Sequence, residues 1–181
     1  MSNNKLLIIF LILLGILLRF VPHDPNFAPI GAIALFSTSY LPKRYSWSIA
    51  LIVMLMTDIF LGFHSVMIWV YGSYLLIALF NSEEKLSRFS YKKLITKALF
   101  SSVLFYLLTN FGVWISTDLY AKNLQGFSEC YFLALPFFRN TLMGDMFYSL
   151  VFFGGYNYLK NSVFLNLYPG KPVEIKEIIK K

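Results

Sequence analysis

The sequence predicts an all-α membrane protein, built as a bundle of about six transmembrane helices. Of its 181 residues, 57% are hydrophobic and 14% are charged, and the mean hydropathy is +0.63. A soluble domain is typically about 45–50% apolar and about 25% charged. The length suits a single integral domain, residues 1–181, of five or six spans at roughly 20 residues each, with little left for a soluble domain.

Apolar runs separated by short polar stretches mark the six predicted spans. The first run is not followed by the small-residue cleavage site of a secretory signal, so it is interpreted as an uncleaved span. The second run is rich in small residues and is either a short span or a re-entrant segment. The predicted spans cover residues 6–21, 28–41, 47–61, 65–80, 94–116 and 140–159, and a basic tail follows at 160–181.

The region between the fifth and sixth spans is expected to be irregular. Residues 117–130 have a mixed composition and are predicted to form a loop. Pro136 and Arg139 interrupt the last apolar stretch, which indicates a short lead-in before the sixth span. Cys130 is the single cysteine of the chain and excludes an intramolecular disulfide. It is interpreted as an inert loop residue, with a soft ligand or a reactive thiol as alternatives.

Lysine and arginine residues set the predicted orientation. If the loops alternate between the two sides, one side holds Lys5, Lys43, Arg44, the basic cluster at 85–93 and the basic tail. The other side holds only Arg19, Lys122 and Arg139. The positive-inside rule therefore places both termini in the cytoplasm and the protein in the inner membrane. The net charge of +7 is then a topology signal rather than a nucleic-acid-binding surface.

Residues 19–29, called the proline turn below, separate the first two apolar runs. They contain Pro22, Pro25 and Pro29, which forbid a continuous helix because proline removes a backbone donor and restricts the preceding residue. Irregular backbone at membrane depth is tolerated where it lines a cavity or is buried in protein. The proline turn is therefore the predicted location of a binding site.

Polar and aromatic residues of several spans are predicted to meet the proline turn at the outer face. Asp58 and Asp145 lie inside apolar runs, where a charge costs at least about 2.5–3.5 kcal/mol, so each should face the bundle and have a partner. Arg19 is the expected partner, and its guanidinium could bridge one or both of these carboxylates. The predicted substrate-binding residues are Arg19, His23, Asn26, Phe27, Asp58, Asn110, Trp114, Asn140 and Asp145. Arg19 and Asp145 would bind charged groups of the substrate, and the asparagines would form hydrogen bonds with it. Phe27 and Trp114 would stack on a ring of the substrate.

Three other interpretations of these residues remain open. An arginine–aspartate pair with asparagines can simply hold membrane helices together, without any ligand. His23 and His64 could ligate a metal with Asp24 or Asp58, but two histidines at unconstrained spacing are a weak signal, and no metal site is predicted. No nucleophile elbow, HExxH, P-loop or dinucleotide-binding motif occurs, so we expect no cofactor and no enzyme. Acid–base chemistry by Asp58 and Asp145 is the enzymatic alternative.

Three segments carry a resemblance to known proteins. They are RxxPHxPNFxPIxAxALF at residues 19–36, TNFGVW at 109–114 and ALPFFxNTxxGD at 134–145. The chain resembles, over most of its length, a family of small uncharacterised bacterial membrane proteins. Its size, six spans and cytoplasmic termini are also similar to the substrate-binding S components of energy-coupling-factor (ECF) vitamin transporters.

The second resemblance implies a function and a set of partners. S components capture a micronutrient, such as a vitamin or its precursor, from the outside and work with a membrane coupling subunit and cytoplasmic ATPases. Two features depart from that pattern: the first span offers only Gly15 where S components present an Ala-xxx-Ala surface, and the chain lacks the N-terminal Met-His of nickel and cobalt members. We therefore expect a membrane protein that binds a small micronutrient for uptake, with a purely structural or assembly protein as the alternative.

Overall fold

The computed structural model describes residues 3–82 and 90–167. Within these residues the chain is all-helical, as predicted, and has no strand. Its helices are α1 (Asn3–Leu18), α2 (Ile30–Tyr40), α3 (Lys43–Leu61), α4 (Met67–Ser82), α5 (Tyr91–Ser116), α6 (Leu124–Leu133) and α7 (Leu135–Leu167). Most of the predicted basic cluster at 85–93 and the tail beyond residue 167 lie outside the described residues.

The structure corrects the predicted boundaries near the C-terminal end. Residues 124–133, predicted as a loop and lead-in, form helix α6, which is capped by the Asn123 side chain accepting a hydrogen bond from the Gly126 N–H. Pro136 does not interrupt a helix, because it is the second residue of α7, where its missing N–H has no intrahelical partner to lose. Helix α7 is continuous through Arg139 and extends to Leu167, beyond the predicted span and into the predicted tail.

Helix α2 is the centre of the bundle. Every residue from Ile30 to Ser39 is buried, and α2 contacts α1, α3, α4, α5 and α7. Small residues make this possible, because Gly31, Ala32 and Ala34 let neighbouring backbones approach closely. The hydroxyl groups on this helix donate back to its own carbonyl oxygens, so their burial leaves no polar group unpaired.

Aromatic side chains fill the space between α2 and the second half of α7. Phe36 packs edge-on against Phe153, with ring centroids 5.3 Å apart, and Tyr40 packs against Tyr156 at 4.2 Å. Phe152 completes the cluster at 6.0 Å from Phe36. These large buried rings bind α7 to the central helix over the half of the bundle that lies away from the proline turn.

Hydrogen bonds show that the helices alternate in direction. Arg19, just after α1, binds Asp58 near the end of α3. The Trp69 indole at the start of α4 donates to the Ser116 hydroxyl at the end of α5, at 2.8 Å. The ends of α1, α3 and α5 and the starts of α2, α4 and α7 therefore lie together at one end of the bundle, called the turn end below. Pro42 connects α2 to α3 at the opposite end, because proline cannot continue α2 but accepts the first hydrogen bonds of α3.

Two helices in the described part of the chain are long and apolar enough to cross a membrane, namely α3 and α5. Only one third of the most apolar window of each is buried in the structure. Helices α1, α2 and α4 are apolar but shorter. At 1.5 Å per residue, α2 is about 16 Å long, roughly half the thickness of a bilayer hydrocarbon core.

Replacing Gly112 with alanine should destabilise the bundle. The added Cβ would lie 2.1 Å from Cγ and 2.6 Å from Cβ of Trp69, so α4 and α5 would have to separate. Overpacking of this kind costs about 1–3 kcal/mol. Thermal unfolding in detergent measures the effect, with Gly72→Ala on α4 as the matched control. No atom would lie within 4 Å of the control's added Cβ, so its higher helix propensity should leave the midpoint unchanged or raise it. Equal effects of the two changes would contradict this packing.

Candidate functional site

The proline turn has a defined conformation at the turn end. The Phe27 N–H donates to the Asp24 carbonyl at 2.9 Å, which closes a four-residue turn with Pro25 and Asn26 in its centre. Asn26 has φ +66°, the left-handed conformation that asparagine tolerates better than most residues and that a type II turn requires at this position. The Asp24 carbonyl also accepts a hydrogen bond from His23 Nδ1 at 2.9 Å. Since Nδ1 must carry the hydrogen, Nε2 of a neutral His23 is an acceptor.

Arg19 anchors the proline turn to α3. Its guanidinium forms an ion pair with the Asp58 carboxylate at 2.5 Å and also donates to the Thr57 hydroxyl and to the Met54 carbonyl. The second Asp58 oxygen accepts from the Tyr71 hydroxyl at 2.8 Å, so both oxygen atoms are engaged. The predicted Arg19–Asp58 pairing is thus present in the structure. Three of the five guanidinium N–H groups are used, which leaves two donors.

Asp145 is sequestered at the start of α2, 3% exposed. One carboxylate oxygen lies 2.6 Å from the Ser102 hydroxyl, and the side chain fits against the backbone of Gly31, where a Cβ would be 1.9 Å from the other oxygen. Within residues 3–82 and 90–167 no cation pairs with it. The Ser102 hydroxyl also donates to the Ala98 carbonyl at 3.0 Å.

A cavity of about 700 Å³ opens below the proline turn. It lies between the turn, the ends of α3, α5 and α6, and the starts of α2, α4 and α7. Its mouth has exposed residues such as His23, Asn26 and His64, and its deep wall has buried ones such as Met54 and Tyr74. The lining residues are Arg19, His23, Pro25, Asn26, Ala28, Ile30, Met54, Leu61, His64, Val66, Val70, Tyr74, Phe105, Tyr106, Thr109, Asn110, Val113, Leu119, Tyr120, Cys130, Leu133, Ala134, Phe137, Phe138 and Thr141.

Four of the nine predicted binding residues line this cavity, namely Arg19, His23, Asn26 and Asn110. The Asn110 amide nitrogen donates to the Tyr106 carbonyl at 2.8 Å within α5. The cavity wall is mostly apolar and aromatic and carries a few separated polar groups, which is the usual composition of a small-molecule site.

The other five predicted residues lie outside the lining and support the surrounding structure. Asp58 and Asp145 are occupied by the protein contacts described above. Phe27 packs against Phe147 and Tyr148, with centroid distances of 5.9 and 5.5 Å. The Trp114 indole donates to the Ala121 carbonyl at 3.0 Å, and the Asn140 amide donates to the Pro25 carbonyl at 3.1 Å. Trp114 and Asn140 therefore hold the 117–123 connection and the proline turn in place.

Several lining residues were not predicted as binding residues, and the sequence carried little signal for them. Tyr74, Tyr106 and Tyr120 are three of twelve tyrosines. They are interspersed with apolar residues in helical or loop segments, where they look like packing residues. Thr109 and Thr141 are on the cavity side of α5 and α7 and donate to carbonyls one turn earlier. Only the contacts between helices distinguish these side chains from the rest of the core.

Cys130 also lines the cavity, on helix α6 rather than in the predicted loop. It is 1% exposed, and its thiol lies 3.5 Å from the Asn110 carbonyl. Burial raises the pKa of the Cys130 thiol, an effect that Lys122 opposes only partly. A thiol of this kind is a poor nucleophile near neutral pH. As the single cysteine in the chain, it nevertheless provides a chemical probe inside the cavity.

No cluster of three or more histidine, cysteine, aspartate or glutamate side chains that could hold a metal ion occurs in the described part of the chain.

Comparison with known proteins places the chain in a family. A family model described as a family of unknown function, DUF6580, matches residues 1–169. The chain belongs to the DUF6580 family. No curated protein and no solved structure matches it. The function of this DUF6580 member must therefore be argued from its own residues.

Replacing Arg19 with methionine should destabilise the protein by about 3–5 kcal/mol, because it leaves the buried Asp58 carboxylate without a counter-ion. Removing both charges, in Arg19→Met/Asp58→Leu, should recover much of that loss. Arg44→Met is the matched control, since Arg44 is exposed at the opposite end and should change stability by about 0.5 kcal/mol or less. Unfolding in detergent with increasing denaturant measures all three. A double variant that loses the sum of two large penalties would rule out a mutual ion pair.

Proposed function

We propose that this DUF6580 protein is a membrane protein that binds a small amphipathic solute, such as a vitamin or its precursor, at its outer face and takes part in its uptake. The observation that carries the proposal is the cavity at the turn end, about 700 Å³ in volume and lined by apolar and aromatic side chains with a few polar groups among them. Sites for drug-sized molecules generally have about 300–1,000 Å³ and a wall of this kind.

Exposed apolar surface supports a membrane location. Large hydrophobic side chains such as Phe10, Phe60, Ile68 and Phe147 are each more than 40% exposed. Soluble monomers rarely expose apolar patches larger than a few hundred Å². The candidate spans α3 and α5 are also only one third buried in their most apolar windows, unlike the core helices of a soluble protein.

The proposed topology has six crossings with both termini in the cytoplasm. Lys43 and Arg44 begin α3 at the end opposite the cavity, and the positive-inside rule assigns that end to the cytoplasm. The turn end, with the cavity, then faces outward. Helix α2 is too short to cross alone, so the proline turn would complete the second crossing, which is allowed where irregular backbone lines a cavity.

The proposal includes partner subunits of the ECF type. The packing of α1 restricts where a coupling subunit could dock. Gly15 is enclosed by Ile33 and Phe152, whose side chains would lie within 3.0 Å of an added Cβ. The small residue of the first span is therefore used inside the bundle. A coupling subunit would have to dock on another surface of the protein.

A structural role is the second candidate, and particular contacts favour it. Asp58 pairs with Arg19, and Asp145 pairs with Ser102 and fits against Gly31, so both buried carboxyl groups hold helices together. These contacts explain the stability of the turn end. They do not explain a cavity of this size beside them, and for this reason we prefer solute binding.

Reporter fusions test the topology. A green fluorescent protein fused after Ser82 or at the C-terminus should fluoresce, because both sites would be cytoplasmic. Alkaline phosphatase fused after Lys122 should be active, because that connection would lie outside. The reciprocal fusions at each site serve as controls. Phosphatase activity after Ser82 together with fluorescence after Lys122 would invert the orientation and place the cavity on the cytoplasmic side.

Filling the cavity tests solute binding. Val113→Phe on α5 places a larger side chain in the lining, whereas Val103→Phe makes the same change at an exposed position of the same helix. Small molecules extracted from the purified proteins are compared by mass spectrometry. We expect a compound near stoichiometric amounts in the wild type and in Val103→Phe, and at least about tenfold less in Val113→Phe. If the wild type carries no compound, or if both variants carry it equally, the structural role is favoured.

A further inference from the structure

Tyr74 places a hydroxyl group without a protein partner at the deep end of the cavity. The residue is 7% exposed, lines the cavity, and packs its ring against Phe105 at 4.9 Å. Among the described residues, no hydrogen-bond partner lies within reach of this hydroxyl. The fully enclosed side-chain oxygen atoms that lack a partner are those of Ser46 and Ser149. The Tyr74 hydroxyl is therefore not fully enclosed, and its accessible surface faces the cavity that the side chain lines.

A tyrosine hydroxyl that lines a cavity and has no protein partner is free to donate a hydrogen bond to a ligand and to accept one from it. The other buried or half-buried tyrosine hydroxyls near the turn end either have a protein partner or lie outside the cavity lining. Tyr71 donates to Asp58, and Tyr106 donates to the Tyr131 carbonyl. Tyr148 is as buried as Tyr74 but lies outside the cavity lining.

The charges around Tyr74 restrict the chemistry of its partner. Arg19 lines the same cavity as Tyr74. Arg19 is already neutralised by Asp58 and retains two N–H donors. An anionic ligand would therefore find no free positive charge at this depth, whereas an uncharged oxygen could accept hydrogen bonds from Tyr74 and Arg19. The apolar and aromatic wall around these donors suits a ring.

We propose that Tyr74 is a specificity-determining residue whose hydroxyl binds an uncharged hydroxyl or carbonyl oxygen on a ring-containing solute, in the cavity that Arg19 also lines. The inference rests on the proposed function, since it names the chemical class of the solute. It differs from the sequence-based expectation that Arg19 and Asp145 hold charged groups of the ligand.

Protection of Cys130 tests the inference with defined probes. Because this single thiol is buried and reacts slowly, its alkylation by excess iodoacetamide in detergent at about pH 9 is followed over hours by intact mass, in the presence of indole, 5-hydroxyindole or indole-5-carboxylate. In the wild type, 5-hydroxyindole should protect at a concentration about tenfold lower than indole does, and indole-5-carboxylate should protect least. Each rate is compared with that of the same protein without a probe.

Tyr74→Phe should abolish the preference for 5-hydroxyindole over indole, while Tyr148→Phe should retain it. Tyr148→Phe is the matched control, because it removes an equally buried hydroxyl outside the cavity. The unfolding midpoint of Tyr74→Phe without a probe should be unchanged or higher, because no protein hydrogen bond is lost. Should this variant not fold, the ranking of the three probes on the wild type decides alone.

Several results would overturn the inference. They are no protection by any probe, equal protection by indole and 5-hydroxyindole, strongest protection by the carboxylate, or a preference that survives in Tyr74→Phe. None of them would exclude the proposed function, because a compound that copurifies with the wild type and not with Val113→Phe would still establish the cavity as a binding site. Conversely, the absence of such a compound would remove the proposed function even if the probes bind.

Discussion

The complete burial of α2 is the constraint on which the rest of the structure depends. Helix α2 is apolar, only 11 residues long and surrounded by five others, and it is enclosed because small residues let its neighbours approach and its Ser and Thr hydroxyls bond internally. It also cannot reach both ends of helices such as α5, which has 26 residues. The space left at one end of α2 is occupied partly by the proline turn and partly by the cavity, for which Ile30 forms part of the wall. The cavity thus exists because the central helix is shorter than the helices around it.

The polar residues of the turn end serve this arrangement in two ways. Arg19, Asp58 and Tyr71 connect the proline turn to α3 and α4, and Asp145 with Ser102 connects α7 to α5 beside the start of α2. Satisfied in this way, the charges stabilise the rim without lining the cavity as free ions. The nine predicted binding residues therefore divide into two groups. Some of them hold helices together, and others line the cavity.

The sequence predicted the parts of this protein that follow from local pattern. Composition and apolar runs predict the all-α class, and proline chemistry predicts the proline turn as an irregular segment. The cost of a lone charge in an apolar run predicts the Arg19–Asp58 pair. Helix α6 was missed because a mixed composition, with Cys130 on its buried side, resembles a loop. Phe27 and Trp114 were placed in the site because an aromatic ring near polar residues suits a ligand and a packing contact equally well. Tyr74 could not be identified, because its significance lies in the absence of a partner across the bundle.

The uncharged character of the cavity follows from the same pairing that makes the turn end stable. If Arg19 were free, it would attract an anion, and the protein would have to bury Asp58 alone when the cavity is empty. With Arg19 and Asp58 paired, the empty state carries no unpaired charge at the cavity wall. The Tyr74 hydroxyl at the cavity wall is neutral and keeps accessible surface, so the empty protein can be stable without a ligand. In the proposed function, the same hydroxyl gives a ligand with a matching oxygen an advantage over one without it.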